Sequence, residues 1–522
     1  MSVNEQSASA PLSSDEEQLH QLGYAQELRR RMSGFSNFAV SFTIISILSG
    51  CLTLYYFGMD EGGPAVIVWG WPFVGIMTLL VGLAMAEVCS SYPTAGGLYY
   101  WSAKLARRNG PAWSWFTGWF NFLGQVAVTA GIDFGAAFFI NAFGSLQWGW
   151  STAHPVTILI YVIVLFVHGL LNQFGIRLVA LLNDISVGWH ILGVLIIVGV
   201  LAFVPAHHLP AKDVFTGLFN NSGLNIGWWY IFPVGLLLAQ YTFTGYDASA
   251  HMTEETNKAA TAGPRGIVMS IVVSLFAGWV LLIGMTFAIQ GRIGGPKYLA
   301  AAAAGPAAPA QIWQDAIGLT GAKLLLLIAI GAQLFCGMSS VTANSRMIYA
   351  FSRDGALPGS AFWHRVNKRT RTPTNAIWLA AGGALILGLP YLWNSTAYGA
   401  VTSIAVIGLY IAYVLPTFLR LRRGDSFQRG PWHLGRWSYL IGWTAVVWVG
   451  FITILFMLPQ FGPLTSGGTL DLNTFNYAVV AVIVVIGFAG IYWLVSAKNW
   501  FTGPRVQGTP EELAAIEHEL EV

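Results

Sequence analysis

Apolar residues run along this chain in long stretches, each separated from the next by a short polar interval. With a window of about 19 residues, the pattern predicts membrane-crossing helices over 36–58, 66–89, 113–140, 156–174, 182–204, 228–252, 267–290, 322–351, 375–393, 397–419, 437–459 and 475–496. These are segments 1 to 12. Each is long enough, at about 1.5 Å rise per residue, to cross most or all of a hydrocarbon core of about 30 Å. The expected fold class is therefore all-α and integral to the membrane, with twelve transmembrane helices.

Segments 1 and 6 are built unlike simple anchors. Segment 1 carries Ser46, Ser49 and Gly50 at its middle, and segment 6 reads Tyr241-Thr-Phe-Thr-Gly-Tyr-Asp-Ala-Ser249. Thr, Gly and Asp are weak helix formers, and an opened backbone in lipid is tolerated only around a cavity. The two interruptions lie five helices apart, where two five-helix repeats of opposite topology place matching broken helices around a central site. Free N–H groups at such breaks can hold a carboxylate. Unwound carbonyls and an acidic side chain can hold an ammonium group or a coupling cation. The competing reading of Ser46, Ser49 and Gly50 is close helix–helix packing by small residues.

Charge then fixes the expected orientation. Alternating the intervals between segments puts 22 of the 26 Lys and Arg on one side, leaving Lys212, Arg292, Lys297 and Lys323 on the other. By the positive-inside rule the rich side is cytoplasmic, and an even helix count puts both termini there. The first 33 residues hold no apolar run before a small-residue cleavage site, so we expect no cleavable signal peptide and a first segment that both targets and spans. Residues 1–20 read as disordered, 300–310 as a partly helical connector, and Thr509-Pro-Glu-Glu512 as the start of a short C-terminal helix. The compact loops point to the inner (plasma) membrane of a bacterial cell.

Composition closes other routes. The chain is 55% hydrophobic and 9% charged, against about 25% charged in soluble domains, so the lipid bilayer is its surroundings. Cys51, Cys89 and Cys336 lie in apolar runs without metal or disulfide spacing. There is no HExxH, Walker A loop or GxSxG, so neither an enzyme nor a nucleotide-driven pump is expected, and no nucleic-acid partner. Local rather than continuous polarity argues against a channel.

Three motifs carry a resemblance to a known family. They are Ala86-Glu-Val-Cys-Ser-Ser-Tyr-Pro-Thr-Ala-Gly-Gly-Leu-Tyr-Tyr-Trp101, then Phe243-Thr-Gly-Tyr-Asp247 with Glu254-Glu255 and Pro264-Arg-Gly-Ile267, and Asn344-Ser-Arg-Met-Ile-Tyr-Ala-Phe-Ser-Arg-Asp-Gly-Ala-Leu-Pro358. In order and at these spacings, over about residues 22–496, the chain resembles the amino acid–polyamine–organocation superfamily. Within it, the best fit is the amino acid/choline transporter family of GABA permeases and bidirectional amino acid transporters. The resemblance implies a cytoplasmic tail over 1–33 and a ten-helix inverted-repeat core over 34–419. A loop over 420–436, two peripheral helices over 437–496 and a tail over 497–522 follow.

It further implies alternating access to a site between segments 1, 3, 6 and 8. The residues expected to line it are Ser46, Ile47, Ser49, Gly50, Gln125, Asp133, Tyr241, Phe243, Thr244, Gly245, Tyr246, Asp247, Met338 and Ser339. Backbone amides at Ser49-Gly50 would take the substrate carboxylate, and an aromatic residue of the segment 6 break would cover the site. Leu48 departs from the family pattern, which often has a small residue there. Segment 5 of some proton-coupled relatives carries a Lys where alignment through Gly175, Ile176 and Asn183 puts His190.

Ionisable groups inside the spans are functional candidates because burial there is costly. Asp133 reads either as a contact for the substrate amine or as a paired structural carboxylate, and Asp247 either as an amine contact or as a cap of the inner half-helix. His190, and less directly His168, could couple protons. Ser339 and Ser340 could instead complete a sodium site, and exchange without a coupling ion is also open. Glu87 and Glu255 could gate with Arg346 or Arg353. No cofactor is expected. The function expected is secondary transport of amino acids or GABA-like compounds. The alternative is a choline, polyamine or other organic-cation carrier, using an aromatic cage of Tyr241, Phe243 and Tyr246.

Overall fold

The computed structural model describes residues 14–174, 176–466 and 469–521. Among them, eleven helices are long and apolar enough to cross a membrane, from Gly34–Thr53 to Ala478–Val495. Segment 6 falls outside that set because its backbone is divided into Trp228–Gly235, Leu237–Thr242 and Ala248–His251. Its residues are nonetheless packed into the bundle, with Leu237 to Asp247 almost wholly buried.

Local chemistry sets many of the boundaries. Ser33 caps segment 1 by accepting from the Ser36 N–H at 3.0 Å. Pro64 opens segment 2, and segment 3 runs from Gly110 to Trp148 before Gly149 ends it in a left-handed conformation. Segment 8 starts earlier than its hydropathy indicates. The helix spans Ala308–Arg353 with non-helical backbone at Gly318, so the expected connector over 300–310 is largely helical.

Segment 1 consists of Gly34–Ile45, Gly50–Thr53 and Tyr55–Asp60. Its first break is marked by Ser46, whose φ of 35° puts an L-residue in the left-handed region. The segment 6 break centres on Gly245 at φ 94°. The two breaks interlock. A Cβ at Gly245 would collide with Ile44 Cγ2, and one at Gly50 would lie 2.9 Å from Thr242 Cα. Each glycine thus admits the neighbouring half-helix at a distance no larger residue allows.

On the face that carries both termini, residues expected to be disordered are partly ordered. Ser14–Leu22 is a helix with Leu19 buried, because the C-terminal tail closes over it; residues 1–13 lie outside the described residues. His20 meets Glu517 at 2.8 Å, and the Ala25 N–H donates to Gln507 at 2.7 Å. The C-terminal helix Pro510–Glu521 has the expected start, with Thr509 N–H donating to Glu512 at 2.7 Å.

Gly245→Ala should force both a disfavoured φ, costing about 1–3 kcal/mol, and a clash with Ile44. We expect loss of transport and a lower melting temperature in detergent. Gly382→Ala, where an added Cβ meets nothing within 4 Å, should leave both unchanged.

Candidate functional site

The breaks leave main-chain donors without helical partners. Ser49 and Gly50 N–H groups both donate to Ser46 O, at 2.8 and 3.1 Å. The amides expected to receive a carboxylate are therefore occupied. Among the described residues no acceptor faces the N–H groups of Ile47 and Leu48, nor those of Tyr246 and Asp247 across the interlock. The donors are displaced by one or two residues from the expected pair. Leu48 does not fill this space. Its side chain is turned to segment 5, where a Cβ on Gly193 would lie 2.7 Å from Leu48 Cδ1.

The inner halves of segments 1 and 6 are joined by a hydroxyl ladder that sequence reasoning missed. Ser41 Oγ donates to Tyr246 O at 2.9 Å and lies 2.7 Å from Ser249 Oγ, while Asn37 Nδ2 donates to Ser249 O at 3.0 Å. The signal was available, since Asn37 and Ser41 are one helical turn apart in an otherwise apolar stretch.

A second group of polar side chains surrounds the outer side of the breaks. Ser49 Oγ donates to Gln333 Oε1 at 2.7 Å, leaving Gln333 Nε2 unpaired. Asp133 Oδ1 lies 3.0 Å from His168 Nδ1, and Asp133 Oδ2 has no partner. The hydroxyls of Tyr241 and Tyr398 are also buried and unpaired, with Tyr241 OH directed at Gly131 of segment 3. Buried polar atoms left unpaired cost about 1–3 kcal/mol each, a cost that a polar ligand bound here would offset. Gln333 was not anticipated: one amide in a long apolar helix was its only sequence mark.

Asp247 does not cap the inner half-helix as one reading expected. Although it precedes Ala248–His251, its side chain makes no capping bond. Gln125 Nε2 and Tyr413 OH both donate to it at 2.6 Å, and His251 Nε2 lies 3.2 Å away. Both oxygens are consumed by a structural network, and Gln125 is consumed with them. Asp133 and Gln125 share a helix but serve different partners.

The expected aromatic cage is dispersed. Phe243 stacks on Trp71 of segment 2 at 4.3 Å, Tyr246 packs on Tyr413 of segment 10 at 4.8 Å, and Tyr241 turns to segment 3. Phe243 therefore does not cover the site. Thr244 Oγ1 closes on Tyr241 O at 2.7 Å, while Met338 is buried with its carbonyl accepting from Asn172 and Thr342.

His190 reaches the first break, with Nε2 2.7 Å from Ser46 Oγ and Nδ1 2.8 Å from Ser186 O. The two serines expected to form a sodium site point apart: Ser339 donates to Asn183 of segment 5, and Ser340 lies 2.9 Å from Thr129 of segment 3. Both are engaged away from the break.

Toward the terminal face, Arg346 Nε donates to Glu255 at 2.8 Å, as expected. Arg31 and Met32 N–H groups donate to Glu255 O at 2.9 and 2.8 Å, and Arg30 reaches Thr253 O and Thr256 O. Arg353 pairs with Glu254 at 3.1 Å. Glu87 belongs to none of this. It pairs with Arg420 at 2.9 Å and accepts from Ser438, pinning segment 2 to segments 10 and 11. Its position near the end of a helix had suggested a gate, but its side chain points to the periphery.

A family model for amino acid permeases matches residues 32–495. The amino-acid permease BAT1 of Arabidopsis thaliana is 45% identical over 512 residues, covering 94% of this chain and 96% of that protein. Its homologue in Oryza sativa subsp. japonica is 44% identical, with 93% and 94% covered. The GABA-specific permease of Saccharomyces cerevisiae is 33% identical, with 94% and 86% covered. A multi-pass helical bundle with paired helix breaks, matched over nearly its whole length, thus belongs to the amino acid permease family of the amino acid–polyamine–organocation superfamily, and it carries amino acids across a membrane.

Proposed function

We propose that the chain is a secondary transporter of zwitterionic amino acids or GABA-like compounds, working by alternating access at the interlocked breaks of segments 1 and 6. The observation that carries this reading is the meeting of the two opened backbones at Gly50 and Gly245. Unpaired N–H groups of Ile47, Leu48, Tyr246 and Asp247 there suit a carboxylate, the unpaired Asp133 Oδ2 and Tyr241 hydroxyl suit an amine, and the unpaired Gln333 Nε2 suits an acceptor on a polar side chain. The reading includes twelve spanning segments, with an inverted-repeat core over 34–419 and two peripheral helices over 437–496. It places both termini in the cytoplasm at a plasma membrane, supported by the Lys and Arg asymmetry. The name of the GABA-specific relative and the dispersal of the aromatic rings both favour amino acids over quaternary cations.

In this scheme the Glu255–Arg346 and Glu254–Arg353 pairs, with Arg30 to Met32 across them, form the cytoplasmic gate. Protons are the coupling ion. His190 sits on Ser46, the residue that ends the inner half of segment 1, so a change in its charge acts directly on that hinge. A proton there favours the imidazolium's donation to an oxygen acceptor.

Competition uptake into proteoliposomes tests the whole reading. A labelled amino acid should be displaced by amino acids or GABA in preference to choline or putrescine, and absence of transport or exchange for all of them would refute it. Asp133→Asn should raise KM for amine-bearing substrates about tenfold, the loss of one charge-assisted hydrogen bond; an unchanged KM removes the amine assignment. His190→Ala should abolish accumulation driven by a pH jump while sparing counterflow exchange. Full pH-driven accumulation in that variant would show the imidazole to be a spectator.

A further inference from the structure

A cavity of about 770 Å3 opens on the face opposite the termini, walled by the connections between segments. Among its lining residues only Asp60 carries a formal charge. Asp60 ends the outer piece of segment 1, and Asn221 holds it twice. The Asn221 side chain donates to Asp60 Oδ1 at 2.8 Å, and the Asn221 N–H donates to Asp60 O at 2.8 Å. No described residue hydrogen-bonds the other carboxylate oxygen, which leaves an anchored anion with one oxygen open to the cavity.

Two further acceptors line the same space. Asn141 Oδ1 and the Tyr398 hydroxyl have no partner among the described residues, although Asn141 is 3% exposed and Tyr398 is 1% exposed. Around them stand the rings of Tyr56, Phe138 and Tyr391, with Tyr398 and Phe138 5.2 Å apart. An ammonium group carries three donors and no acceptor, and it gains from both a carboxylate and neighbouring ring faces. A carboxylate or phosphate would meet a like charge, because the formal charge among the lining residues is Asp60 alone.

The neighbouring acid does not alter this charge balance. Glu61 is fully buried, and burial, with Asp60 beside it, pushes its carboxyl up to about 9, so it stays protonated near neutrality. Asp60 itself shares the cavity with no basic side chain, and among the described residues only Asn221 hydrogen-bonds its carboxylate. Its charge carries an unrecovered desolvation cost that an arriving cation offsets.

We propose that this vestibule is a capture site for the ammonium group of an incoming amino acid, anchored by Asp60 and completed by Asn141 and Tyr398. The inference rests on the permease reading above and adds a second substrate site to it, on the side that reading makes extracellular.

Sided proteoliposomes provide the test, with unidirectional transport measured separately from each face. Asp60→Asn should raise KM from the vestibular face about tenfold, as expected for one charge-assisted contact, with kcat and the KM from the terminal face unchanged. Asp60→Glu, which keeps the charge, should restore most of the affinity. In the wild type, propylammonium should compete from the vestibular face alone, and propionate should not. Equal KM changes from both faces would assign Asp60 a structural role, and either an unchanged vestibular KM or absence of propylammonium competition would likewise overturn the site. The competition experiment needs no variant to fold. Wild-type protein inert toward every amino acid would instead refute the permease reading on which the site rests.

Discussion

The structure turns on the contact between two opened helices. Backbone polar groups cannot be left unpaired against lipid, so a break in segment 1 survives only if another element covers it without supplying the missing partners. Segment 6 does this, and segment 1 returns the cover. Gly50 lets in Thr242 and Gly245 lets in Ile44, so each break is sealed by the intact end of the other helix. The unpaired N–H groups are kept from lipid and remain available to a ligand.

The remaining polar groups fall into two kinds around that contact. Two carboxylates with both oxygens bonded hold the frame: Asp247 with Gln125, Tyr413 and His251, and Glu87 with Arg420, Ser438 and the Leu434 N–H. Buried carboxylates of this kind would be strongly destabilising without their partners. Others, beside the breaks, are incompletely bonded, as at Asp133, Gln333 and Tyr241.

The two faces of the bundle differ for the same electrostatic reason. The terminal face carries arginines paired with Glu254 and Glu255, and the N-terminal segment is held there by Gln507 and Glu517 from the C-terminal tail. The opposite face keeps a broad cavity with one charged lining side chain, Asp60. A zwitterion therefore meets an anion on one side and a cation-rich closure on the other.

Much of this architecture was legible in the chain itself. Hydropathy located the spans, because an apolar run of spanning length admits few other outcomes, although the helices of segments 3, 7 and 8 run eight or more residues past the apolar runs. Gly50, Gly245 and the serines around them located both breaks, since weak helix formers in mid-membrane are rare without cause. Side-chain direction was not legible. Asp133, Gln125 and Phe243 were all expected to line one site, yet their side chains meet different partners, His168, Asp247 and Trp71. Gln333 showed no motif, and the vestibular role of Asp60 depends on Asn221, far along the chain. Sequence by itself determined where the backbone must open, through local propensity and the demands of lipid. Only tertiary packing decided which polar atoms are paired and which are left for a ligand, because that depends on contacts between residues hundreds of positions apart.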